Sequence, residues 1–390
     1  MSYETYRVTD LIDEIAMGPF GSNIKVSCFV DSGVPVLNGS NLEGFSLSEK
    51  AFRFVTKEKA DSLNKANAHR GDIVITHRGT LGQIAFIPQD SRYDRYVISQ
   101  SQFRVRCNDK VLPEYLVYYF HTPIGQHKLL SNASQVGVPA LARPSSTFQQ
   151  IEVELPELNI QKRVVEIITT IQKKIENNQE LNDNLEQQAQ SYFQELFVDN
   201  ADPEWAIGTI SDLGTVVGGS TPSKAKPEYY TESGIAWITP KDLSINKSKF
   251  VSHGENDITE LGLKNSSAAI MPEGTVLFSS RAPIGYIAIA AGEVTTNQGF
   301  KSVVPKPEIG TPFVYFFLKN TLPVIEGMAS GSTFKEVSGS TMKNVPAVIP
   351  DAETLAKFSD FCAPIFAQQR ILEEQNQSLA TLRDNLLPKL

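Results

Sequence analysis

The sequence predicts an α+β protein in which two α/β domains alternate with two long helices. Three observations predict this plan: a long stretch without helix breakers in the middle of the chain, a second such stretch at its end, and a set of motifs that recurs before each. The recurrence predicts an internal repeat with pseudo-two-fold character. The expected boundaries are 1–155 and 198–349 for the globular domains, and 156–197 and 350–390 for the helices.

The first long stretch begins at Pro156 and then contains neither glycine nor proline up to residue 197. Its apolar or tolerated residues recur at spacings that alternate between four and three, which is typical of a heptad seam. Such a helix is roughly 55 Å long. Because one narrow apolar stripe cannot be buried alone, the helix is expected to pack against a partner of similar length.

The second stretch begins at Pro350, and a gap-free shift of 194 residues (350 − 156) superimposes the first on it. The shift places Asn182 on Asn376, and a buried seam asparagine fixes helix register at some cost in stability. Pro364 is expected to kink the second helix. Pairing is expected through Ile168, Ile171, Ile175, Asn182, Leu185, Tyr192, Ile365, Leu372, Asn376, Leu379 and Leu386. The alternative is that two unrelated helices share an amphipathic composition.

The globular parts repeat the same motifs in the same order. A glycine turn, Gly18-Pro-Phe-Gly-Ser-Asn or Gly218-Gly-Ser-Thr-Pro-Ser, precedes a short strand. A strand, an arginine-containing turn and a second strand follow, with Arg78 and Arg281 at the same place, as expected where glycine permits a tight reversal. Next come a polar strand, a proline-started helix and a loop rich in Gly, Ser and Thr that returns to the long helix.

Composition narrows the function classes. The net charge of −8 argues against a protein that coats polyanions unaided. No apolar run of about 18 residues occurs, so no membrane span is expected, and three dispersed cysteines fit a reducing, cytoplasmic compartment. The histidines form no metal-ligand spacing.

Motifs for catalysis are missing from the sequence. It has no phosphate-binding G-x-x-x-x-G-K-[ST] loop, no H-E-x-x-H and no G-x-S-x-G elbow. Two similar domains on two similar helices instead suggest a bivalent binder that contacts two separated patches of one long ligand. Duplex DNA suits such a binder, because half-site spacing can mirror protein symmetry.

Several motifs together carry a family resemblance. They are the GPFGSNIK turn, the Gly-Asp-Ile-Val-Ile strand followed by Arg-Gly-Thr-Leu-Gly, the Ser-Gln-Ser-Gln-Phe strand, and the Leu-Pro-x-Leu-x-x-Gln-Lys-Arg sequence that opens the first long helix. In this order the chain resembles the DNA specificity subunit of type I restriction-modification enzymes over nearly its whole length.

The resemblance implies a non-catalytic subunit with two target-recognition domains, each reading one half of a bipartite sequence in double-stranded DNA. It implies that the long helices pack as an antiparallel coiled coil, which acts as a spacer and docks two methyltransferase (modification) subunits. This chain would bind no cofactor or metal. S-adenosylmethionine would be bound by the methyltransferase partners, and ATP and Mg would be expected on partner subunits, including the motor-nuclease (restriction) subunits.

DNA reading requires side chains that pair with base edges, and positioning requires groups that bind phosphate. In the first domain the candidates are Lys25, Thr76, His77, Arg78, Ser99, Gln100, Ser101, Gln102 and Arg143. In the second they are Lys224, Lys241, Ser279, Ser280, Arg281, Thr296, Asn297, Gln298 and Lys335.

Each candidate also has a simpler explanation. An arginine in a hairpin can be solvated or salt-bridged, a polar strand can be an exposed face or a satisfied core network, and the lysines can be ordinary surface residues. Two other classes of protein also remain open. One is an assembly scaffold whose helices gather protein partners, and the other is an enzyme with an unrecognised site.

Overall fold

The computed structural model describes residues 3–19, 21–134, 137–331 and 335–387. Phe20 of the predicted glycine turn and residue 390, the expected end of the second helix, lie outside the described residues. The chain forms two compact units. The first unit contains residues up to Lys174 together with those from Ser378 onward, and the second unit contains Ile175–Gln377. Each long helix therefore contributes residues to both units.

The first unit contains thirteen strands among its described residues, together with four short helices and the start of a long one. The strands are β1 (Tyr3–Arg7), β2 (Ile12–Met17), β3 (Phe29–Val30), β4 (Val34–Val36), β5 (Arg53–Val55), β6 (Asn67–His69), β7 (Ile73–Thr76), β8 (Ile84–Phe86), β9 (Arg95–Val97), β10 (Gln102–Cys107), β11 (Ala133–Ser134), β12 (Ala140–Leu141) and β13 (Glu152–Pro156). The helices are α1 (Lys57–Ser62), α2 (Pro113–His121), α3 (Pro123–Leu130), α4 (Pro144–Gln149) and α5 (Leu158–Gln194).

Two sheets organise the first unit. One is antiparallel with the order β2-β10-β7-β8, and the other has the order β3-β5-β4-β9-β6, in which β4 and β9 run parallel. The strand β7 is buried throughout, as its continuous apolar sequence predicts. The helix α2 has Pro113 in its first turn, and its Tyr115 and Phe120 join the core with Ile168 of α5. A separate antiparallel pair, β1 with β13, joins the start of the globular segment to the residues just before α5.

The second unit contains the rest of α5, which ends in a π-helical turn at Glu195–Asp199, and eleven strands among its described residues. The strands are β14 (Ala206–Thr209), β15 (Gly214–Gly218), β16 (Tyr230–Thr231), β17 (Ile235–Ile238), β18 (Phe250–Val251), β19 (Asn256–Ile258), β20 (Val276–Ser280), β21 (Ile284–Ala290), β22 (Thr295–Thr296), β23 (Lys301–Pro305) and β24 (Pro346–Ile349). The helices are α6 (Ile210–Leu213), α7 (Pro240–Ile245), α8 (Glu260–Lys264), α9 (Thr311–Gly327), α10 (Gly339–Lys343) and α11 (Ala352–Leu386).

The sheets of the second unit repeat the topology of the first. The order β15-β23-β20-β21 corresponds to β2-β10-β7-β8 and gains β18 at its edge. The smaller sheet β16-β19-β17-β22 contains one parallel pair, β17 with β22, as β4 with β9 does in the first unit. The pair β14 with β24 corresponds to β1 with β13. The predicted mixture of helices and sheets, and the long helix before residue 198, are therefore present.

Within the second unit, α5 and α11 contact each other in antiparallel order. Asn178 Nδ2 donates to Asn376 Oδ1 at 2.9 Å, and Asn182 Nδ2 donates to Glu373 Oε1 at 3.3 Å. Residues later in α5 therefore contact residues earlier in α11, which is the order of an antiparallel pair. The seam partner of Asn376 is Asn178, rather than its repeat equivalent Asn182. The helix α11 continues through Pro364.

The predicted pairing residues differ in burial. Among them, Ile168, Ile171, Ile175, Ile365 and Leu372 are buried. The others, Asn182, Leu185, Tyr192, Asn376, Leu379 and Leu386, are half-buried. In the part of the chain that the structure describes, no helix has the length and apolar character needed to span a membrane.

Candidate nucleic-acid interface

Three loops of the first unit are joined through their backbones. The glycine turn after β2 donates from Gly18 N–H to the carbonyl of Gln102 at 2.8 Å, at the end of the polar loop that joins β9 to β10. The arginine-containing turn between β7 and β8 donates from His77 N–H to the carbonyl of Ser101 at 2.8 Å. Three motifs that are far apart in sequence therefore meet at one place.

The returning loop joins the same place. Gly79 N–H donates to the carbonyl of Pro139, and Leu141 N–H donates to the carbonyl of His77, both at 2.9 Å. The side chain of Arg78, between these two anchored residues, is exposed. Among the residues that the structure describes, no carboxylate lies within ion-pair distance of Arg78.

The polar side chains of this assembly have two environments. Thr76 is buried and donates from Oγ1 to Gln83 at 3.1 Å, and Gln102 is buried and accepts from Ser99 N–H at 2.9 Å. Gln100 is exposed, whereas Ser99 and Ser101 are half-buried. Burial leaves Thr76 and Gln102 no surface from which to reach a base, so in this structure their polar atoms hold the turn and the loop.

His77 connects two of the loops. Its Nε2 lies 3.2 Å from the carbonyl oxygen of Gln100, and the ring is half-buried. Burial lowers the pKa of His77 below its usual value, although hydrogen bonding to the carbonyl of Gln100 opposes that shift. The imidazole is therefore neutral at physiological pH, and it can accept or donate a hydrogen bond without adding positive charge.

Two predicted phosphate contacts of the first unit lie on other segments. Lys25 is exposed in the short loop before β3. Arg143 is exposed at the start of α4 and has a left-handed backbone, with φ of 47°. Arg143 lies in the returning loop, two residues after Leu141, whereas Lys25 lies beyond the glycine turn.

The second unit joins the equivalent loops in the same way. Ser220 N–H, in the glycine turn, donates to the carbonyl of Thr296 at 2.9 Å, and Ser280 N–H donates to the carbonyl of Gly299 at 2.7 Å. Val337 N–H, in the returning loop, donates to the carbonyl of Ser280 at 3.0 Å. The repeated motifs therefore make corresponding contacts in both units, although residues 99–101 of the predicted polar strand form a loop before β10.

Both glycine turns pass very close to the polar loop. A Cβ atom at Gly18 would lie 1.9 Å from the carbonyl oxygen of Ser99, and one at Gly219 would lie 2.0 Å from that of Asn297. These distances exclude any side chain. Glycine is required here because the backbones approach each other closely.

A cleft of about 660 Å³ opens beside the loops of the second unit. Five residues of the predicted set line it: Lys224, Lys241, Arg281, Asn297 and Gln298. The rest of the lining is Thr221, Tyr230, Trp237, Thr239, Pro240, Asp242, Glu255, Asn256, Ala282 and Gly299. The cleft thus combines hydrogen-bonding side chains, cations and an aromatic wall, which is the chemistry that base edges and phosphates require.

Three predicted hydroxyl residues of the second unit are buried. Ser279 Oγ accepts from Tyr286 N–H at 2.8 Å, and Ser280 Oγ donates to the carbonyl of Gly299 at 3.1 Å. Thr296 is also buried. The hydroxyls of Ser279 and Ser280 thus hold the loops from within, whereas the buried hydroxyl of Thr296 has no hydrogen-bond partner among the described residues.

The basic residues of the second unit are partly neutralised. Lys241 Nζ lies 2.5 Å from a carboxylate oxygen of Glu255, and Arg281 Nη1 lies 3.4 Å from one of Glu336. Lys224 and Lys335 are exposed. A polyanion approaching this cleft would therefore compete with carboxylates for two of the cations.

Sequence reasoning missed part of each surface. In the second unit it missed Trp237 and Tyr230, whose rings lie 5.7 Å apart at the cleft. In the first unit it missed Asn38 and Arg53, which line a smaller pocket of about 380 Å³ beside Gln100. These residues come from the second sheet of each unit, and no sequence motif links that sheet to the arginine turn. Among the described residues, no group of three His, Cys, Asp or Glu side chains is placed to hold a metal ion.

Comparison with known proteins adds independent evidence. The chain matches the family model of the type I restriction modification DNA specificity domain twice, over residues 3–187 and 203–382. The MjaIX specificity subunit of a type I restriction enzyme from Methanocaldococcus jannaschii is 39% identical over 191 residues, which cover 47% of this chain and 44% of that protein. The HindI specificity subunit from Haemophilus influenzae is 24% identical over 407 residues, with 82% and 86% covered.

A solved structure supports the fold. The S subunit of a type I restriction-modification system from M. genitalium superimposes with a TM-score of 0.62 at 15% identity, covering 99% of this chain and 95% of that one. The family predicted from the sequence motifs is confirmed by the double match to the family model. The chain belongs to the family of the type I restriction modification DNA specificity domain.

Proposed function

We propose that this chain is the non-catalytic specificity subunit of a type I restriction-modification complex, and that each globular domain reads one half of a bipartite target in double-stranded DNA. The observation that carries the proposal is the repeated assembly of glycine turn, arginine turn, polar loop and returning loop, present once in each unit of a chain that matches the specificity-domain model twice. Two copies of one recognition surface suit a target with two halves.

The burial of the candidate residues divides their proposed roles. The exposed or half-buried side chains, led by Arg78, Gln100, Arg281, Asn297 and Gln298, are proposed to contact bases, because arginine pairs with guanine and amides pair with adenine. Lysines and Arg143 are proposed to contact phosphates. The buried Thr76, Gln102, Ser279, Ser280 and Thr296 are proposed to position the loops.

The domain boundaries proposed here are 1–155 and 198–349 for the recognition domains, with 156–197 and 350–390 as spacer helices. We also propose that α5 and α11 pair along their length as an antiparallel coiled coil. The contacts of Asn178 with Asn376 and of Gln172 with Arg383 support this pairing, one within each unit. The helices would set the half-site separation and dock two methyltransferase subunits.

The partners are proposed to supply the chemistry. Methyltransferase subunits would bind S-adenosylmethionine and methylate adenine, and restriction subunits would supply ATP- and Mg-dependent translocation and cleavage. This chain would contribute specificity alone. The adenine to be methylated would be flipped into the methyltransferase subunit and would not be held in the cleft described above.

The decisive experiment is methylome sequencing of a host that expresses the chain with its methyltransferase subunit, compared with hosts that express either one alone. A bipartite adenine-methylation motif that appears only with both would support the proposal and identify the target. If the two proteins co-purify and no new mark appears, the chain is an assembly scaffold. Turnover of DNA by the purified chain alone would identify it as an enzyme.

The spacer proposal has its own test. One heptad inserted into α5 between Ile171 and Leu185 should abolish methylation, because the seam with Asn376 loses its register. A heptad inserted into both helices should restore pairing and change the preferred spacing of the two half-sites. Full methylation at the original spacing by the single insertion would contradict the proposed pairing.

A further inference from the structure

Phe45 in the first unit and Lys249 in the second occupy equivalent positions. The carbonyl of Phe45 accepts from Phe86 N–H at 3.0 Å, and the carbonyl of Lys249 accepts from Ile289 N–H at 2.7 Å. The residue after each one forms a parallel bridge to the same strand. The same backbone position therefore carries an aromatic side chain in one unit and a cation in the other.

In the second unit the side chain of Lys249 enters between the two long helices. Its Nζ donates to Glu186 Oε2 of α5 at 2.7 Å and to Gln369 Oε1 of α11 at 2.8 Å. The same atom lies 3.5 Å from the centroid of the Phe366 ring of α11. Only 7% of Lys249 is exposed, so one lysine of the globular domain binds both helices in a buried position.

A carboxylate of α11 holds the backbone at the same place. Glu373 accepts hydrogen bonds from Lys249 N–H at 2.8 Å and from Phe250 N–H at 3.0 Å, one on each oxygen. These two amides lie at the sheet edge formed by β18. The side chain of Lys249 and the backbone beside it are therefore attached to the helices by separate groups.

The first unit has the reverse arrangement. The guanidinium of Arg383, on α11, lies 5.2 Å from the centroid of the Phe45 ring, and Arg383 Nη1 donates to Gln172 Oε1 of α5 at 3.0 Å. His121 packs against Phe45 with 4.6 Å between ring centroids. Burial lowers the pKa of His121, and the charge of Arg383 lowers it further, so the ring is neutral beside the guanidinium.

Burial of the Lys249 ammonium group is energetically unfavourable, which indicates that this residue positions the domain on the helices. Burial lowers the pKa of Lys249 to about 8, although Glu186 and its hydrogen bond oppose the shift. Desolvation thus outweighs attraction for the lysine. A buried ion pair is weak evidence for net stabilisation, and the best-attested use of such pairs is to specify one geometry among several.

We propose that the two globular domains are attached to the long helices by joints of opposite polarity: a domain lysine, Lys249, enters the helices in the second unit, and a helix arginine, Arg383, covers a domain aromatic, Phe45, in the first. Each globular domain therefore presents at this position the side chain that complements the helix residues it contacts. Lys249 and Phe45 are positioning residues that orient the recognition loops. Their effect on half-site spacing rests on the proposed function, whereas the joints themselves do not.

The joint in the second unit is tested by amide hydrogen exchange of the full-length chain. Lys249→Met should accelerate exchange of the amides of Lys249 and Phe250 at least tenfold, while the amides of β20 and of the first unit keep their wild-type rates. The matched control is Lys247→Met, an exposed lysine two residues earlier, which should change none of them. Unchanged exchange in Lys249→Met, or equal acceleration throughout the chain, would overturn the proposed positioning role.

Polarity is tested in the first unit. Phe45→Lys places a second cation beside Arg383 and should accelerate exchange of the Leu47 and Phe86 amides at least tenfold, whereas Phe45→Met should change them less than threefold. Adding Arg383→Glu to Phe45→Lys should restore slow exchange, because a domain lysine then faces a helix carboxylate as in the second unit. Equal behaviour of Phe45→Lys and Phe45→Met, or failure of the double variant to rescue, would overturn the proposal.

A separate measurement connects the joints to DNA. Once methylome sequencing has identified the target, duplexes whose half-sites are moved by one base pair in either direction would serve as probes. Lys249→Met should reduce the preference for the native spacing at least threefold, and Lys247→Met should keep it. If exchange changes and the spacing preference does not, the joints hold the domains on the helices without setting the half-site spacing. If the methylome experiment identifies no target, the exchange measurements still test the joints themselves.

Discussion

The two arginine turns share one backbone frame and differ in their electrostatics. In the first unit Arg78 is exposed, and no carboxylate of the described residues lies within ion-pair distance. In the second unit Arg281 faces Glu336 at 3.4 Å, and Lys301 lies 3.8 Å from the same carboxylate. The returning loop supplies Glu336. The shared fold therefore sets the position of each arginine, whereas the returning loop determines whether a carboxylate neutralises the charge of that arginine.

The joints with the long helices show the same principle. Equivalent backbone positions carry Phe45 and Lys249, and the helices supply the complementary group in each case. The repeat therefore preserves the order of the four shared strands of the larger sheet, whereas the cation of the joint comes from the helix in the first unit and from the domain in the second. Changes that act on one unit alone test this difference, and changes that act equally on both test the shared frame.

The largest expected difference between the units appears in acid. Burial alone would raise the pKa of Glu186, but the ammonium groups of Lys249 and Lys319 and their hydrogen bonds outweigh it and lower the pKa from 4.5 to about 2. A carboxyl with a lowered folded-state pKa stabilises the protein above pH 4.5, and that contribution is lost as the pH falls towards 2. The loss is about 3 kcal/mol.

This difference is measurable by hydrogen exchange between pH 6 and pH 3, read separately for each unit. The second unit should open first, because Glu186 faces Lys249, Lys319 and the hydroxyl of Tyr315 there. In the first unit Arg383 bonds the amide of Gln172, which does not titrate, and its carboxylate partner Asp384 is exposed, so that ion pair contributes little. Glu186→Gln should remove most of the acid dependence of the second unit. Opening of the first unit at a higher pH than the second would contradict the role assigned to Glu186.

The glycine turns should respond alike in both units. Gly18→Ala and Gly219→Ala each place a Cβ atom about 2 Å from a carbonyl oxygen, and the required backbone shift should reduce the free energy of unfolding by about 1 to 3 kcal/mol. Thermal or urea unfolding measures the effect. The control is Gly292→Ala, where the Cβ would meet no heavy atom within 4 Å. A large difference between Gly18→Ala and Gly219→Ala would show that the frames are not equivalent.

The arginine turns should respond unequally. If each arginine makes a paired contact to a guanine, Arg78→Ala and Arg281→Ala should each reduce discrimination at a different half-site by about 1 to 3 kcal/mol. The effect of Arg281→Ala should be the smaller one, because wild-type Arg281 must first leave Glu336. Binding to duplexes with one scrambled half-site measures both. Variants that discriminate cognate from scrambled duplexes as well as the wild type does would remove both arginines from base reading.

The smallest effect is expected at Glu336. Glu336→Gln removes the charge that faces Arg281 and Lys301, and an exposed pair of this kind contributes about 0.2 to 1 kcal/mol. Binding at the second half-site should therefore strengthen by less than about tenfold, with no change at the first. Strengthening at both half-sites would indicate a general charge effect, not release of Arg281.

Much of the plan was predictable because it depends on local patterns. The apolar run of β7 predicts a buried strand, and Pro113 predicts the first turn of α2. The repeated motifs predict that Arg78 and Arg281 occupy equivalent turns, and in the structure both turns are joined to the polar loop. Such patterns are readable because side-chain periodicity follows directly from backbone geometry.

The candidate residues were less predictable. The sequence pattern does not distinguish the exposed Gln100 from the buried Gln102, although the two residues are almost adjacent. Likewise, Ser279 and Ser280 face inward while Arg281 reaches the surface. Burial depends on which strand packs behind each residue, and that packing involves segments that are distant in the chain.

The sequence alone predicted the long helices, the order of the motifs and the repeat, because these follow from periodicity, turn chemistry and internal similarity. The family was predicted separately, from the resemblance of the ordered motifs. Three features became visible only in the folded chain: Asn376 contacts Asn178, Trp237 lines the cleft, and Lys249 is buried between two helices. These contacts join residues from separate segments, and their energies depend on distance and desolvation, which a linear sequence does not display.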